Sequence, residues 1–335
     1  TAIAQPLIVA AGILTLDALA ETDHLSKTSG IAGHSVGEFT AAAGATRPEP
    51  DRQAGPQQGA TGERREHQRN ELCAPSLSFV NDTLLVVGST HGKEFPLWMS
   101  TNPEVDDWKE LVHKHQAGAW DPQLFWDKEK DELYMYYGSS NLYPLYGLKL
   151  NRKTFQPEGE PVPVLALNDD EHGWERFGEN NDNTFLQPFT EGAFMTKHNN
   201  KYYLQYGAPG TEFSGYADGV YVGNNPLGPF DYQPHNPFSY KPGGFARGAG
   251  HGATYQEAYN QYWHVSTIGI CVKNNFERRI GIWPSGFDED GVMYSNTAYG
   301  DYPHYIPAAG FAGHHHARPG AVADPGGFRP GGEIP

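Results

Sequence analysis

Four times along the chain, an apolar strand passes through a short polar turn into a second strand rich in aromatic or branched apolar residues. Residues 77–80 lead through Asn81-Asp82 into 83–88, and 124–126 lead through a charged turn into 133–138. Residues 194–197 pass Asn199-Asn200 into the run Tyr202-Tyr203-Leu204-Gln205-Tyr206-Gly207, and Ala253-Thr254-Tyr255 is followed by 261–265. Asn and Asp tolerate left-handed backbone at the turns, while aromatic and β-branched side chains suit a pleated, half-buried surface. An isolated hairpin is barely stable in water, so these four must bury their faces against one another. Starts near 77, 124, 194 and 253 space them roughly 45 to 70 residues apart, the period of propeller blades that carry insertions. Composition agrees: 40 Gly, 26 Pro and 13% aromatic residues exclude a helical bundle for most of the chain and predict a mostly β fold.

The flanks read differently. Residues 1–45 predict a short α-helical fragment, with a run from Ala4 to Ala20 that is almost wholly apolar but too short to span a membrane. After it, Gly33-His34-Ser35-Val36-Gly37 precedes an alanine-rich stretch. That spacing lets small residues make a sharp turn and lift a serine hydroxyl at a helix N-terminus. Residues 46–72 hold Gln, Gly and Arg with few apolar side chains and predict a disordered linker. Residues 308–335, with His314-His315-His316 among Gly, Pro and Ala, predict a disordered tail. Against 24 Lys+Arg stand 40 Asp+Glu, a net charge of -16, so nucleic acid and anionic membrane surfaces are excluded as partners and a neutral polysaccharide is not. Two cysteines, Cys73 and Cys271, cannot build a disulfide framework or a cysteine-rich zinc site. No apolar run is long enough for a membrane span, and no basic-then-apolar leader follows Thr1, so no signal peptide is expected.

Within residues 73–307, five short motifs occur in order. They are Ala74-Pro75-Ser76-Leu77, Trp120-Asp121-Pro122-Gln123-Leu124-Phe125, Thr190-Glu191-Gly192-Ala193-Phe194, Asn225-Pro226-Leu227-Gly228-Pro229-Phe230 and Gly250-His251-Gly252. This series resembles glycoside hydrolase family 43, five-bladed propellers of β-xylosidase and α-L-arabinofuranosidase type. The resemblance implies inverting, exo-acting cleavage of xylo- and arabino-oligosaccharides. It makes Glu191 the general acid and Asp121 the carboxylate that tunes and orients it. His251 would lie on the channel axis beside a calcium ion or water, the one metal implied, with no cofactor required. Trp120, Phe125 and Trp174 would be candidates for stacking on sugar rings, and Arg278 or Arg279 for contacting substrate hydroxyls. Export to the periplasm or beyond is the expectation for that family.

The chain also departs from that pattern. The family's catalytic base is an Asp in an Asp-Pro motif of the first blade, whereas residues 1–72 hold no aromatic hairpin. Asp17, Asp23 and Asp51 stand there in a helical or linker context. The expectation is therefore an incomplete five-bladed propeller, about four blades over residues 73–307, with hydrolysis impaired. A non-hydrolytic carbohydrate-binding propeller is the alternative. The opening residues 1–11, together with Gly33-His34-Ser35-Val36-Gly37-Glu38, resemble malonyl-CoA:acyl carrier protein transacylase. That likeness would make Ser35 an acyl nucleophile and the whole chain a chimera.

Overall fold

Among the described residues, four antiparallel sheets of four strands each, every one a simple meander, account for the strands. The computed structural model describes residues 72–297, apart from 82, 91–94, 103–106, 113–119, 257–261 and 271–277. The expected helical fragment with Ser35, the tail 308–335, Cys271 and all of the linker 46–72 but its last residue lie outside the described residues. Among the described residues, no helix is long and apolar enough to cross a membrane.

The first blade runs β1 (Leu72–Val80), β2 (Thr83–Thr90), β3 (Leu97–Ser100) and β4 (Lys109–Val112). The second runs β5 (Gln123–Asp127), β6 (Glu132–Tyr137), β7 (Leu145–Leu150) and β8 (Val162–Leu165). The third comprises β9 (Glu191–His198), β10 (Lys201–Ala208), β11 (Ala217–Gly223) and β12 (Phe230–Tyr232). The fourth comprises β13 (Arg247–Gln256), β14 (Tyr262–Gly269), β15 (Arg278–Phe287) and β16 (Met293–Ser295). The four predicted hairpins are the first two strands of these blades. At the third, His198 faces Lys201 across Asn199 and Asn200, whose φ angles of 47° and 62° give the left-handed two-residue turn that matches strand twist.

Both faces of the second and third blades pack against a neighbour, so their side chains alternate between two layers. On β5 and β6, Leu124, Leu133 and Met135 enter the layer shared with the first blade, alongside Leu85, Val87 and Leu97. Phe125, Tyr134 and Tyr136 enter the layer shared with Met195, Tyr202, Leu204 and Tyr206 of the third. Burial falls from inside to outside: β10 is buried at all but its first position, whereas no residue of β12 is buried.

The innermost strands β1, β5, β9 and β13 belong to separate sheets, and side chains join them. Ser78 Oγ donates to the Leu124 carbonyl (2.6 Å), Gln123 Oε1 accepts from the Met195 N–H (3.2 Å), and Thr196 Oγ1 donates to the Thr254 carbonyl (3.3 Å). At the far end of β5, Asp127 takes Lys197 Nζ (2.8 Å) and Tyr202 Oη (2.5 Å) from the third blade.

Leu204 is fully buried between the second and third blades. Leu204→Ala is expected to cost about 3 kcal/mol by leaving a cavity in that layer. Leu142→Ala, at a residue 74% exposed, should stay within about 0.5 kcal/mol of the parent. Denaturant midpoints compare the two, and equal losses would contradict the described packing.

Candidate active site

Three inner strands begin at one end of the ring, and each brings one polar side chain there. Asp121 lies two residues before β5 at φ 49°, Glu191 is the first residue of β9, and His251 sits on β13 at φ 50°. Left-handed backbone at Asp121 and His251 turns their side chains out of the alternating blade layers. One donor atom from each of the three lies within 4.8 Å of the others. Asp121 and Glu191 are buried, and His251 is half-buried. Gly192, at φ 65°, makes the approach possible, since a Cβ there would stand 2.7 Å from the His251 ring.

Glu191 is held by two hydroxyls: Tyr216 Oη donates to Oε1 (2.6 Å) and Ser139 Oγ to Oε2 (3.3 Å). Burial pushes its carboxyl up. Tyr216, Arg278 and Ser139 pull the other way, Glu212 adds to the rise, and the net direction is upward. Burial first, and the Glu191 charge second, push the Tyr216 phenol well above its ordinary value, so it remains a neutral donor. Burial and Arg278 push His251 down to about 3, so its imidazole is neutral at ordinary pH. Of the two candidate arginines, Arg278 donates to Thr211 Oγ1 (2.7 Å) and acts on both Glu191 and His251, whereas Arg279 donates to the Arg278 carbonyl (2.7 Å). A shallow recess adjoins Tyr216 and is lined by Thr211, Glu212, Arg247 and Thr267.

The three aromatic candidates are placed elsewhere. Phe125 packs among Tyr136 and Tyr202 between the second and third blades. Trp174 lies against Tyr206 and donates to Tyr232 Oη (2.8 Å). Trp120, next to Asp121 in the chain, packs its ring edge-on against Phe95 of the first blade (6.4 Å). None of these rings is among the groups gathered on Glu191. Tyr216 and Ser139 are, with Thr211 behind them on Arg278, and no sequence motif singled these three out. The available signal was glycine inside strand patterns, at 192, 207 and 250, which marks close backbone approach.

The calcium implied for His251 can be tested against these donors. Calcium takes about six to eight oxygen ligands, whereas this trio offers two carboxylates and an imidazole nitrogen. Direct ligation by all three would also require an ionised Glu191, the form that burial disfavours. The donors therefore suit an ion reached from His251 through water, not one held by the trio.

Comparisons with known proteins agree with this arrangement. The sequence model described as glycosyl hydrolases family 43 matches residues 52–293, more than two thirds of the chain, while no curated protein sequence matches. The fold is similar to an endo-1,4-beta-xylanase from Bacteroides thetaiotaomicron, at 20% identity and a TM-score of 0.56, covering 67% of this chain and 75% of that one. It is also similar to a xylan beta-1,4-xylosidase from Bacillus halodurans, at 18% identity and a TM-score of 0.56, covering 71% of this chain and 47% of that one. A thermostable family-43 glycoside hydrolase matches at 21% identity and a TM-score of 0.55, covering 70% of this chain and 76% of that one. At these identities the likeness is one of fold, and this chain spans under half the length of the xylosidase. The family match runs from ahead of the first blade to the opening residue of β16, and on that match the chain belongs to glycosyl hydrolase family 43.

Proposed function

We propose that this propeller acts on xylo- and arabino-oligosaccharides by inverting, exo-acting hydrolysis with Glu191 as general acid, and that its turnover is slow. One observation carries the reading: a buried carboxyl, pushed toward its protonated form, stands beside a second carboxylate at the end of the ring where three inner strands begin. Glu191 supplies the acid proton. It passes to the leaving oxygen as the glycosidic bond breaks, while water attacks the anomeric carbon from the opposite face and loses its proton to a carboxylate. Tyr216, Ser139 and Arg278 then stabilise the Glu191 anion. The likeness to a xylanase and a xylosidase supports xylan-type linkages.

Separation distinguishes the roles of the two acids. Inverting enzymes hold acid and base about 6.5–9.5 Å apart to admit the water, whereas oxygens of Asp121 and Glu191 lie within 4.8 Å. Asp121 is thus a neighbour that tunes and orients, and a third carboxylate must activate the water. Residues 1–72 contain no Asp-Pro motif. The same distance favours a second reading, in which the channel binds sugar and does not cleave it.

Glu191→Gln should lower hydrolysis of xylobiose by about 100-fold or more. The loss on p-nitrophenyl β-xyloside should be far smaller, because that leaving group needs little protonation; equal losses would remove Glu191 from the acid role. Tyr216→Phe takes away a donor that favours the Glu191 anion, so the carboxyl rises further. Activity needs the protonated acid and fails as pH rises through that value. The alkaline limb of the pH–rate profile should therefore move to higher pH in Tyr216→Phe, and a shift to lower pH would contradict the assignment.

Linkage gives a readout independent of turnover. A carboxyl raised on folding contributes stability that is present below its unfolded value and lost as pH rises through its folded one. Gln in its place has no proton to lose. The Tm of Glu191→Gln minus that of the parent should therefore grow as pH rises above the ordinary Glu range, and a difference independent of pH would contradict a raised carboxyl.

A further inference from the structure

We infer that Asp218 is a positioning residue that fixes His251 at the channel end through the backbone, and that a buried hydrogen-bonded chain across the third and fourth blades holds Asp218 in place. The ladder between β13 and β14 is interrupted near its middle. Its register passes from Gly250 opposite Thr267 to Ala253 opposite Val265, leaving His251 and Gly252 outside the ladder. A bulge of this kind re-aims a side chain but leaves peptide N–H groups needing partners. Asp218, fully buried on β11 of the third blade, supplies one: its Oδ2 accepts the Gly252 N–H (2.8 Å), and the His251 N–H also favours its charged form.

Asp218 is gripped from behind. Oδ2 meets His264 Nε2 (3.0 Å), and His264 Nδ1 meets Thr254 Oγ1 (2.9 Å). Thr254 donates to Gln205 Oε1 (2.9 Å), and Gln205 Nε2 donates to Thr196 Oγ1 (2.9 Å). The chain thus runs in one direction through β13, β10 and β9, and since the Thr254 hydroxyl is a donor, His264 Nδ1 must carry a proton. Every member is at least nine-tenths buried. Gly252 has no room for a side chain, because a Cβ would lie 2.4 Å from the His264 ring and 2.5 Å from Asp218 Oδ2. An apolar residue at 218 would avoid the cost of burying a carboxyl. The neighbours Ala217, Gly219 and Val220 are small or apolar. The polar chain occurs where the channel strand leaves its ladder, and its end rests on the residue that completes the Asp121–Glu191–His251 trio.

The inference deepens the sugar-site reading and rests on it, so the test has one arm that needs no sugar. Hydrogen exchange of the 251–252 amides, measured on the full chain, should quicken about tenfold or more in Asp218→Leu and by less than about threefold in Asp218→Asn, which keeps an acceptor oxygen. Asp218→Ser, with its shorter reach, carries the leucine expectation should that variant not fold. Unchanged exchange in these variants would overturn the inference. In the second arm, Asp218→Leu should weaken xylobiose binding about fivefold or more in the parent and leave it unchanged in a His251→Ala background. An equal loss in both backgrounds would overturn the route through His251. A parent that does not bind xylobiose would sink the sugar-site reading, while the exchange arm would still decide whether Asp218 pins the bulge.

Discussion

Each blade presents to the centre of the ring an inner strand whose free edge meets no strand of its own sheet, and buried peptide groups there must still be paired. Ser78, Gln123 and Thr196 answer this with side-chain bonds to the neighbouring blade's backbone. The active end uses the same device with higher stakes. His251 leaves the ladder so that its ring can approach Glu191, and the peptide group that follows it is bonded to Asp218 of the adjacent blade. Blade register and site geometry are therefore one problem: a shift of the third blade against the fourth would move Asp218, and with it the backbone carrying His251.

At Glu191 two opposing effects have to be balanced. Burial favours the neutral acid, while Tyr216, Ser139 and Arg278 favour its anion. An acid catalyst needs both, the first to hold the proton before bond cleavage and the second to accept the charge afterwards. The two hydroxyl donors are placed by different devices. Tyr216 comes from the turn leading into β11, and Ser139 follows β6, whose continuation bridges to Thr190, the residue before the acid.

The elements legible in the sequence were those with a local cause. Aromatic hairpins with Asn turns gave the first two strands of every blade, because their alternation and turn chemistry lie within about ten residues. The outer strands were not legible. Lys109–Val112, Val162–Leu165, Phe230–Tyr232 and Met293–Ser295 have three or four residues each, too few for a period-two pattern to emerge. Asp121, Glu191 and His251 were visible through motifs at inner-strand starts. Phe125 and Trp174 were assigned to the sugar site on residue type alone. The structure places them in inter-blade packing: Phe125 lies within β5, where side chains alternate between two neighbouring blades, and Trp174, on the connection 166–190, packs onto the layer between the second and third blades. Tyr216, Asp218 and His264 act across blades, over separations that local patterning does not encode.

The same ring treats its acids in opposite ways at its two ends. At the far end of β5, burial alone would raise Asp127, but hydrogen bonds from Lys197 and Tyr202 outweigh it and hold the carboxyl below its ordinary value. At the channel end, burial wins at Glu191 and Asp218, and both are raised. The difference is one of partners: Lys197 places an ammonium 2.8 Å from Asp127, whereas hydroxyls hold Glu191 directly and Arg278 acts on it without displacing them. Lowered acids contribute stability that is lost as pH falls through their folded values, and raised acids contribute stability that is lost as pH rises through theirs. Asp127 therefore ties the second and third blades together most firmly where it is charged, while the active end is most stable where its acids keep their protons. The ring is therefore most stable between the two titrations.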